Sequence, residues 1–425
     1  MALHQDTIWE VRTGGSNENG GGFHDRIPGT SVDYSQQNAP QLALIDLVGS
    51  AASVTVTSVV GGFTAAMVGN VMRIRAGTNF TVGFYEIVAR NSANSVDLDR
   101  IPCTGAGSVG LSKTGGGQIN CDLIDTVVVP GNTVYIENGN YAAHPTVTFS
   151  GAYTKTLPLT IWGYNGARNT RPTGLNRPLI ALAGNVFNVN TNIKIRNVSF
   201  EGTVTTAGNA LLKIITASGN GLVFFENCKF NHLSTGRGII TNTPSVNSII
   251  AIDCEFLSAT PGGILSIGID NIGSGQPITV LNCYFHSLSY GINQVGADFA
   301  QLYALFSIFA NILINGINAD GTEGARVMNC VFEDIVGDGF NTGGGGTTIV
   351  NNSFSNCVNS GINSPATIVK NNNFFGCGTP WIGGTLRPLD NNTFVNPQFV
   401  TPGSNYALQR TSGLIDRAFS MRLGV

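Results

Sequence analysis

The feature that most constrains this chain is a six-residue phrase that recurs from residue 195 onward: an apolar residue, any residue, Asn, two variable residues, Phe. It runs from Ile195 to Phe200 with Asn197, Phe225 to Phe230 with Asn227, and Val280 to Phe285 with Asn282. Further copies are Val327 to Phe332 with Asn329, Ile349 to Phe354 with Asn351, Val369 to Phe374 with Asn371, and Leu389 to Phe394 with Asn391. Two copies vary: Ala251 to Phe256 carries Asp253, and Ala304 to Phe309 carries Phe306 at the Asn place. A phrase that returns at intervals narrowing from 30 to 20 residues marks a solenoid, in which each repeat buries its apolar face against its neighbours.

The residue types explain the bend. Asn tolerates left-handed backbone angles and its amide can bond to neighbouring turns, so the flanking apolar residue and Phe sit on short strands either side of a corner. Coils stacked about 4.8 Å apart then line up their Asn and Phe residues as ladders. A second element follows each Phe: Gly238-Ile239, Gly263-Ile264, Gly291-Ile292, Gly316-Ile317, Gly339-Phe340 and Gly361-Ile362. Gly is expected to turn the chain there, with the next residue pointing inward. Cys228, Cys254, Cys283 and Cys330 directly follow the Asn or Asp, and the eight cysteines include no Cys-x-x-Cys pair. They read as small buried reduced thiols, with no metal and no cofactor expected.

Composition narrows the partners. A net charge of −3 with only 22 Lys and Arg offers no basic field for nucleic acid. No run of 18 apolar residues suggests a membrane span, and the start reads as lacking a secretory signal.

In chain order, residues 1–40 read as a Gly-rich arm whose order would come from a partner or another subunit. Residues 41–120 show period-two alternation at Ser53 to Val60, Val71 to Arg75, Phe84 to Val88 and Ser95 to Leu98, the pattern of a small antiparallel β domain. Thr104 to Gly117 reads as a linker or loop. Residues 121–410 form the solenoid, with two strands joined by Pro130-Gly131-Asn132 at its start. Residues 411–425 are a candidate cap or subunit-contact tail.

The Pro130-Gly131-Asn132 turn, the strand Thr133-Val134-Tyr135-Ile136 and the run Leu159 to Tyr164 resemble the opening coils of right-handed parallel β-helix proteins. Tyr406-Ala407-Leu408-Gln409 resembles their final strand. This resemblance implies an all-β, right-handed, single-stranded parallel β-helix preceded by a small antiparallel β domain and an N-terminal arm. It covers about residues 125–410 and speaks to fold, not function.

Many β-helices cleave acidic polysaccharides, and glycoside hydrolysis needs two carboxyls flanking one bond. The best local acid cluster on the repeat is Glu333, Asp334 and Asp338, for which a solvated acidic turn is the competing reading. The sequence signatures expected of polygalacturonase-like and pectate-lyase-like β-helices are absent. His232 and His286 follow the Phe230 and Phe285 rungs and could share a side; Trp381, Tyr284 and Tyr290 could stack on sugars or simply pack. Asp320, Glu323 and Arg326 read as an exposed ion-pair loop, and Gly343 to Gly346 as a turn and not a phosphate loop.

With its arm, small β domain and β-helix, the chain resembles β-helical virion proteins of tailed bacteriophages, either capsid decoration (cement) proteins or tailspikes. The resemblance implies a homotrimer assembled in the host cytoplasm and carried on the virion. Its partners would be itself and the major capsid protein or other virion subunits, with a host surface glycan as a further possibility. It implies a structural, non-enzymatic role; the alternative is a spike or fibre that binds or cleaves host polysaccharide.

Overall fold

The computed structural model describes residues 3–408, except 169, 173–175, 185, 191, 204–209, 216–220, 235, 242–247, 261–265, 273–276, 296–300, 321–323, 366–367, 384–389 and 402–404. The tail at 411–425 and Gly263-Ile264 therefore lie outside the described residues. The chain divides into two compact units, Met1–Ile180 with Asn192–Val198, and Ala181–Thr191 with Ser199–Val425. It is all-β, a right-handed parallel β-helix together with a small closed antiparallel barrel.

In the first unit, strands Leu42–Ser50, Ser53–Thr57, Ser95–Leu98, Gly83–Ser92, Val71–Phe80 and Cys103–Thr114 close into the barrel in that order. Leu44, Leu47, Val56, Met72, Ile87 and Val96 fill its core. The small-residue stretch read as a linker from Thr104 is instead the strand that closes the barrel, pairing with Leu42–Ser50 on one side and Val71–Phe80 on the other. Its glycines reflect crowding and not slack. A Cβ on Gly107 would lie 2.5 Å from the Cys103 Sγ, and one on Gly110 would lie 2.8 Å from the Leu47 Cβ.

The Gly-rich N-terminal stretch takes its order from its own chain. Ile8–Val11 pairs in parallel with Thr133–Glu137 and antiparallel with Gly22–Phe23. Trp9 is fully buried, and its Nε1 donates to Asn132 Oδ1 at 3.1 Å. The strand expected before Pro130 does not form: Cys121 to Val128 are successive turns, with Val127 and Val128 both donating to the Ile124 carbonyl. Ile124 and Val128 are buried, so this apolar run covers core without joining a sheet.

In the second unit three parallel sheets run along the coils. One contains seven strands, from Leu222–Glu226 to Ile368–Lys370. A second carries the phenylalanines, from Ser199–Thr203 to Asn373–Phe375, and a third carries the Gly-Ile pairs, from Phe187–Val189 to Thr379–Ile382. Phe200, Phe230, Phe256, Phe285, Phe309, Phe332, Phe354 and Phe374 stack with ring centroids 4.6 to 5.3 Å apart and interplanar angles no larger than 11°. Phe394 leaves this ladder: it is tilted by 36° at 6.2 Å from Phe374 and is 57% exposed.

All nine bend positions, Asn197, Asn227, Asp253, Asn282, Phe306, Asn329, Asn351, Asn371 and Asn391, have φ between 51° and 59°. The next residue points inward, and here the thiols give way to amides. Cys228, Cys254, Cys283 and Cys330 are buried thiols outside any disulfide, while Asn352, Asn372 and Asn392 continue the row. Asn352 Oδ1 accepts from the Cys330 amide at 2.8 Å, and Asn372 Oδ1 accepts from the Asn352 amide at 2.9 Å.

The Gly ladder runs Gly238, Gly268, Gly291, Gly316, Gly339, Gly361, so its second member is Gly268 and not Gly263. These glycines lie within strands and do not turn the chain. Each lets the carbonyl of the next coil approach, and a Cβ on Gly316 would sit 2.6 Å from Gly339 O and 2.8 Å from Phe332 Cδ1.

The stretch expected to be a final coil strand instead forms a hairpin. Phe399–Thr401 and Asn405–Leu408 pair antiparallel, and Phe399 and Tyr406 pack against Ala310 and Val331 on the outside of the Phe-bearing sheet.

Candidate functional site

Glu333, Asp334 and Asp338 are adjacent in sequence and separated by the fold. Glu333 lies on the outer face of the Phe-bearing sheet, in register with Ala310 and Ser355, and is buried. The neighbouring Tyr406 belongs to the hairpin; burial first, then Tyr284 and Glu333, push its phenol up. Asp334 is a corner residue with φ 54°, in a second bend row with Ser287, Asn311, Asn356 and Gly376, and its Oδ1 accepts from Asn356 Nδ2 at 3.0 Å. Asp338 lies beyond that corner on the Gly-bearing sheet. Its carboxylate accepts from Ser360 Oγ at 2.7 Å and Asn363 Nδ2 at 3.1 Å, while its amide donates to Asn315 Oδ1 at 2.9 Å. One carboxyl is covered, one holds a corner and one is committed to a ladder, so the fold sets the three in different surroundings.

The two histidines also part. His286 faces outward in register with Leu257 and Ala310, whereas His232 points into the coil in register with Ser258 and is buried. On the outer face, Glu255 receives Lys229 Nζ at 3.0 Å and His286 Nε2 at 3.2 Å. Burial alone would raise Glu255, but the hydrogen bonds from His286 and Lys229 override it and hold the carboxyl down at about 2. Trp381 is in register with Ile362 in the inward row and its Nε1 donates to Ser364 O at 2.8 Å, a packing position. Arg326 lies over the Tyr303 ring at 5.6 Å, and no ion pair between Arg326 and Asp320 is present among the described residues; Glu323 is not among them.

A site that the phrase-by-phrase reading missed lies on the outer face of the Gly-bearing sheet. The residue after each inward apolar residue points out, giving the register row Asp270, Asn293, Asn318, Asn341, Asn363. Asn293 Nδ2 donates to Asp270 Oδ1 at 2.8 Å, Asn318 to Asn293 at 2.9 Å and Asn341 to Asn318 at 2.7 Å. Arg237 pairs with Asp270 at the head of the row. Asn293 and Asn318 each spend one donor and one acceptor on the ladder, Asn341 spends one donor, and Asn363 turns to Asp338. Each amide has donors and lone pairs beyond these, so the face is a strip of hydrogen-bonding groups. The signal was present in sequence as Gly-Ile-Asn at 291–293, 316–318 and 361–363, and Gly-Phe-Asn at 339–341. Asp270 and Asp338 are three strands apart, roughly 14 Å at the inter-strand spacing, well beyond the separation of paired glycosidase carboxyls.

In the first unit, distant segments meet in a buried charged network. Arg168 Nε donates to Glu10 Oε2 at 2.7 Å and its Nη1 to Asp33 Oδ2 at 2.5 Å, while Arg12 Nη2 donates to Glu137 Oε1 at 2.7 Å. Tyr164 donates to Glu10, and burial pushes Glu10 up against the pull of Arg168. The partners are more than 120 residues apart in sequence, which hides the network there. Glu10 is fully enclosed and its oxygens are taken, so the network fastens the N-terminal strand instead of presenting a reactive group.

The barrel wall carries an apolar group of a different kind. Ile45 and Val48 on one strand, Val109 on its partner strand and Val59-Val60 in the loop after Ser53–Thr57 are exposed, Val59 by 89% and Val60 by 72%. The Val60 amide donates to Asp46 Oδ2 at 2.9 Å, which ties that loop to the strand bearing Ile45. Val109 has φ 53° at a register shift, a bulge position where Gly is usual.

Fold and faces together define a right-handed parallel β-helix protein with a closed β-barrel. Comparison with known proteins finds no matching family model and no matching curated protein sequence. Among solved structures, a rhamnogalacturonan lyase is similar at TM-score 0.47 and 13% identity, over 67% of this chain and 86% of that one. A pectate lyase is similar at TM-score 0.42 and 12% identity, over 73% and 88%. The catalytic unit of a thermostable α-1,3-glucanase from Streptomyces thermodiastaticus gives TM-score 0.34 and 9% identity, over 85% and 87%. The likeness is one of fold.

Proposed function

We propose that this chain is a non-enzymatic structural protein of a tailed-phage virion, a homotrimeric decoration protein that binds the capsid through its barrel. The observation that carries the reading is the exposed group Ile45, Val48, Val59, Val60 and Val109. A β-branched residue in the left-handed region costs about 1–2 kcal/mol, and Val109 bears that cost while displaying its side chain to solvent. Backbone strain at a surface position is a pointer to function. The dispersal of Glu333, Asp334 and Asp338 supports the non-enzymatic half of the proposal.

Co-sedimentation with purified capsids tests it. Val60→Asp is expected to weaken capsid binding at least tenfold with an unchanged Tm; capsid binding that is absent in the parent, or unchanged in the variant, overturns the reading. Deleting residues 1–40 is a poorer test, because Ile8–Val11 and the buried Trp9 belong to the first unit's sheet and core. Sedimentation equilibrium at three times the chain mass is expected for the trimer.

The amide strip favours a second reading, a spike that binds host polysaccharide. Incubation with host capsule or lipopolysaccharide separates the two: oligosaccharide release abolished by Glu333→Gln or Asp338→Asn would overturn the non-enzymatic proposal.

A further inference from the structure

We propose that His4, Asp6 and His24 form a divalent transition-metal site, suited to zinc, that clasps the N-terminal segment onto the barrel. One ring nitrogen of each histidine and one carboxylate oxygen of Asp6 lie within 4.8 Å of one another. His4 Nδ1 is 3.6 Å from Asp6 Oδ2, and the two imidazoles stack with centroids 3.8 Å apart and planes 8° from parallel. Two imidazoles and a carboxylate are a donor set that zinc accepts with three protein ligands and a water.

The surroundings are built as metal sites are built. Glu86, buried on the strand Gly83–Ser92, places Oε1 3.3 Å from His24 Nδ1. A carboxylate on Nδ1 fixes the proton there and leaves Nε2 free to coordinate, the usual outer partner of a metal-bound histidine. Arg26 Nε holds the same oxygen at 2.8 Å. Asp6 and Glu86 against Arg26 leave the pocket one negative charge in excess, which suits a cation.

The backbone is fixed where the ligands need it. Asn132 Nδ2 donates to the carbonyls of His4 at 3.0 Å and Gln5 at 2.8 Å, and the His24 amide donates to Gly69 O at 2.8 Å. Tetrahedral zinc with bonds of 2.0–2.1 Å needs ligand atoms roughly 3.3 Å apart. Because each imidazole lone pair lies in its ring plane, the His4 ring must turn out of its stack on His24 to share an ion with it, and Asp6 must close in. The two side chains are 38% and 64% exposed, which leaves room for that movement. The amide of Asp6, now 3.2 Å from His4 Nδ1, gives up that acceptor when the metal arrives.

The test uses the full chain, stripped with a chelator and desalted. Calorimetric titration with zinc chloride is expected to give one ion per chain, zinc to raise Tm, and cobalt chloride to produce visible d–d bands. His4→Ala and His24→Ala should each weaken zinc binding at least tenfold; Glu86→Gln should weaken it by about tenfold, as loss of an outer-shell partner does. His286→Ala should leave it unchanged. Should His24→Ala fail to fold, His4→Ala still decides, since that side chain is partly exposed. Absence of binding in the parent, parental affinity in His4→Ala, or loss of binding in His286→Ala overturns the proposal.

Discussion

At the residue scale the coil corner is a demand on one dihedral angle. Nine corners share a positive φ, and eight hold Asn or Asp, which reach that region at low cost; Phe306 is the exception and is 41% exposed. Phe306→Asn therefore exchanges a strained residue for a relaxed one and gives up little packing. Urea denaturation is expected to show the variant about 1 kcal/mol more stable, and a loss of stability would mean that the exposed ring carries packing its accessibility hides. This corner was legible in the sequence because a single residue type satisfies it. The other corner was not: Ser287, Asn311, Asp334, Asn356 and Gly376 solve the same backbone problem with four residue types, so no phrase repeats. Asp334 consequently read as a candidate acid. Asp334→Gly should keep the fold, with an unfolding free energy from urea denaturation within about 0.5 kcal/mol of the parent, since Gly enters the left-handed region freely.

At the scale of the element, Gly positions with different reasons look alike in sequence. In Thr104 to Gly117 they suggested a linker, yet Gly107 and Gly110 make room for Cys103, Leu47 and Phe80 within a barrel strand. In the coils they suggested turns, yet Gly316 lies in a strand beneath the next coil's carbonyl. Gly316→Ala should therefore cost about 1–3 kcal/mol, the range for overpacking a filled interior. Gly345→Ala, where a Cβ meets nothing within 4 Å, should be near neutral by the same thermal melt. Equal effects at both sites would remove close approach as the reason for the Gly ladder. The Phe phrase gives the period and the inward face of one sheet; the outward Asn row belongs to a different sheet, and its Gly-Ile-Asn signal is masked because Gly followed by an apolar residue also reads as a turn.

At the scale of the whole molecule, the fold follows from the repeat, whereas the charged contacts do not. Glu10 with Arg168, and His4 with His24, join segments whose separation in sequence carries no pattern, so only the folded chain brings them together. What the whole chain does feel is acid. Burial pushes His232 down from 6.5 to about 4, and burial likewise lowers His144. For a base whose folded value is depressed, the unfolded chain binds more protons between the two values, so stability rises with pH across that window. The His232 contribution is complete above about pH 6.5 and is lost progressively down to about pH 4. Glu255, held at about 2 against 4.5, adds stability that is present above pH 4.5 and lost only below it, so the two effects separate. Urea unfolding should thus fall by about 2 kcal/mol from His232 alone between pH 7 and pH 5, at 1.36 kcal/mol per unit. His232→Gln should flatten that stretch while leaving the fall below pH 4.5 in place. A slope between pH 7 and pH 5 that is the same in parent and His232→Gln would mean that His232 is charged in the folded chain, and the inward register with Ser258 would need another explanation.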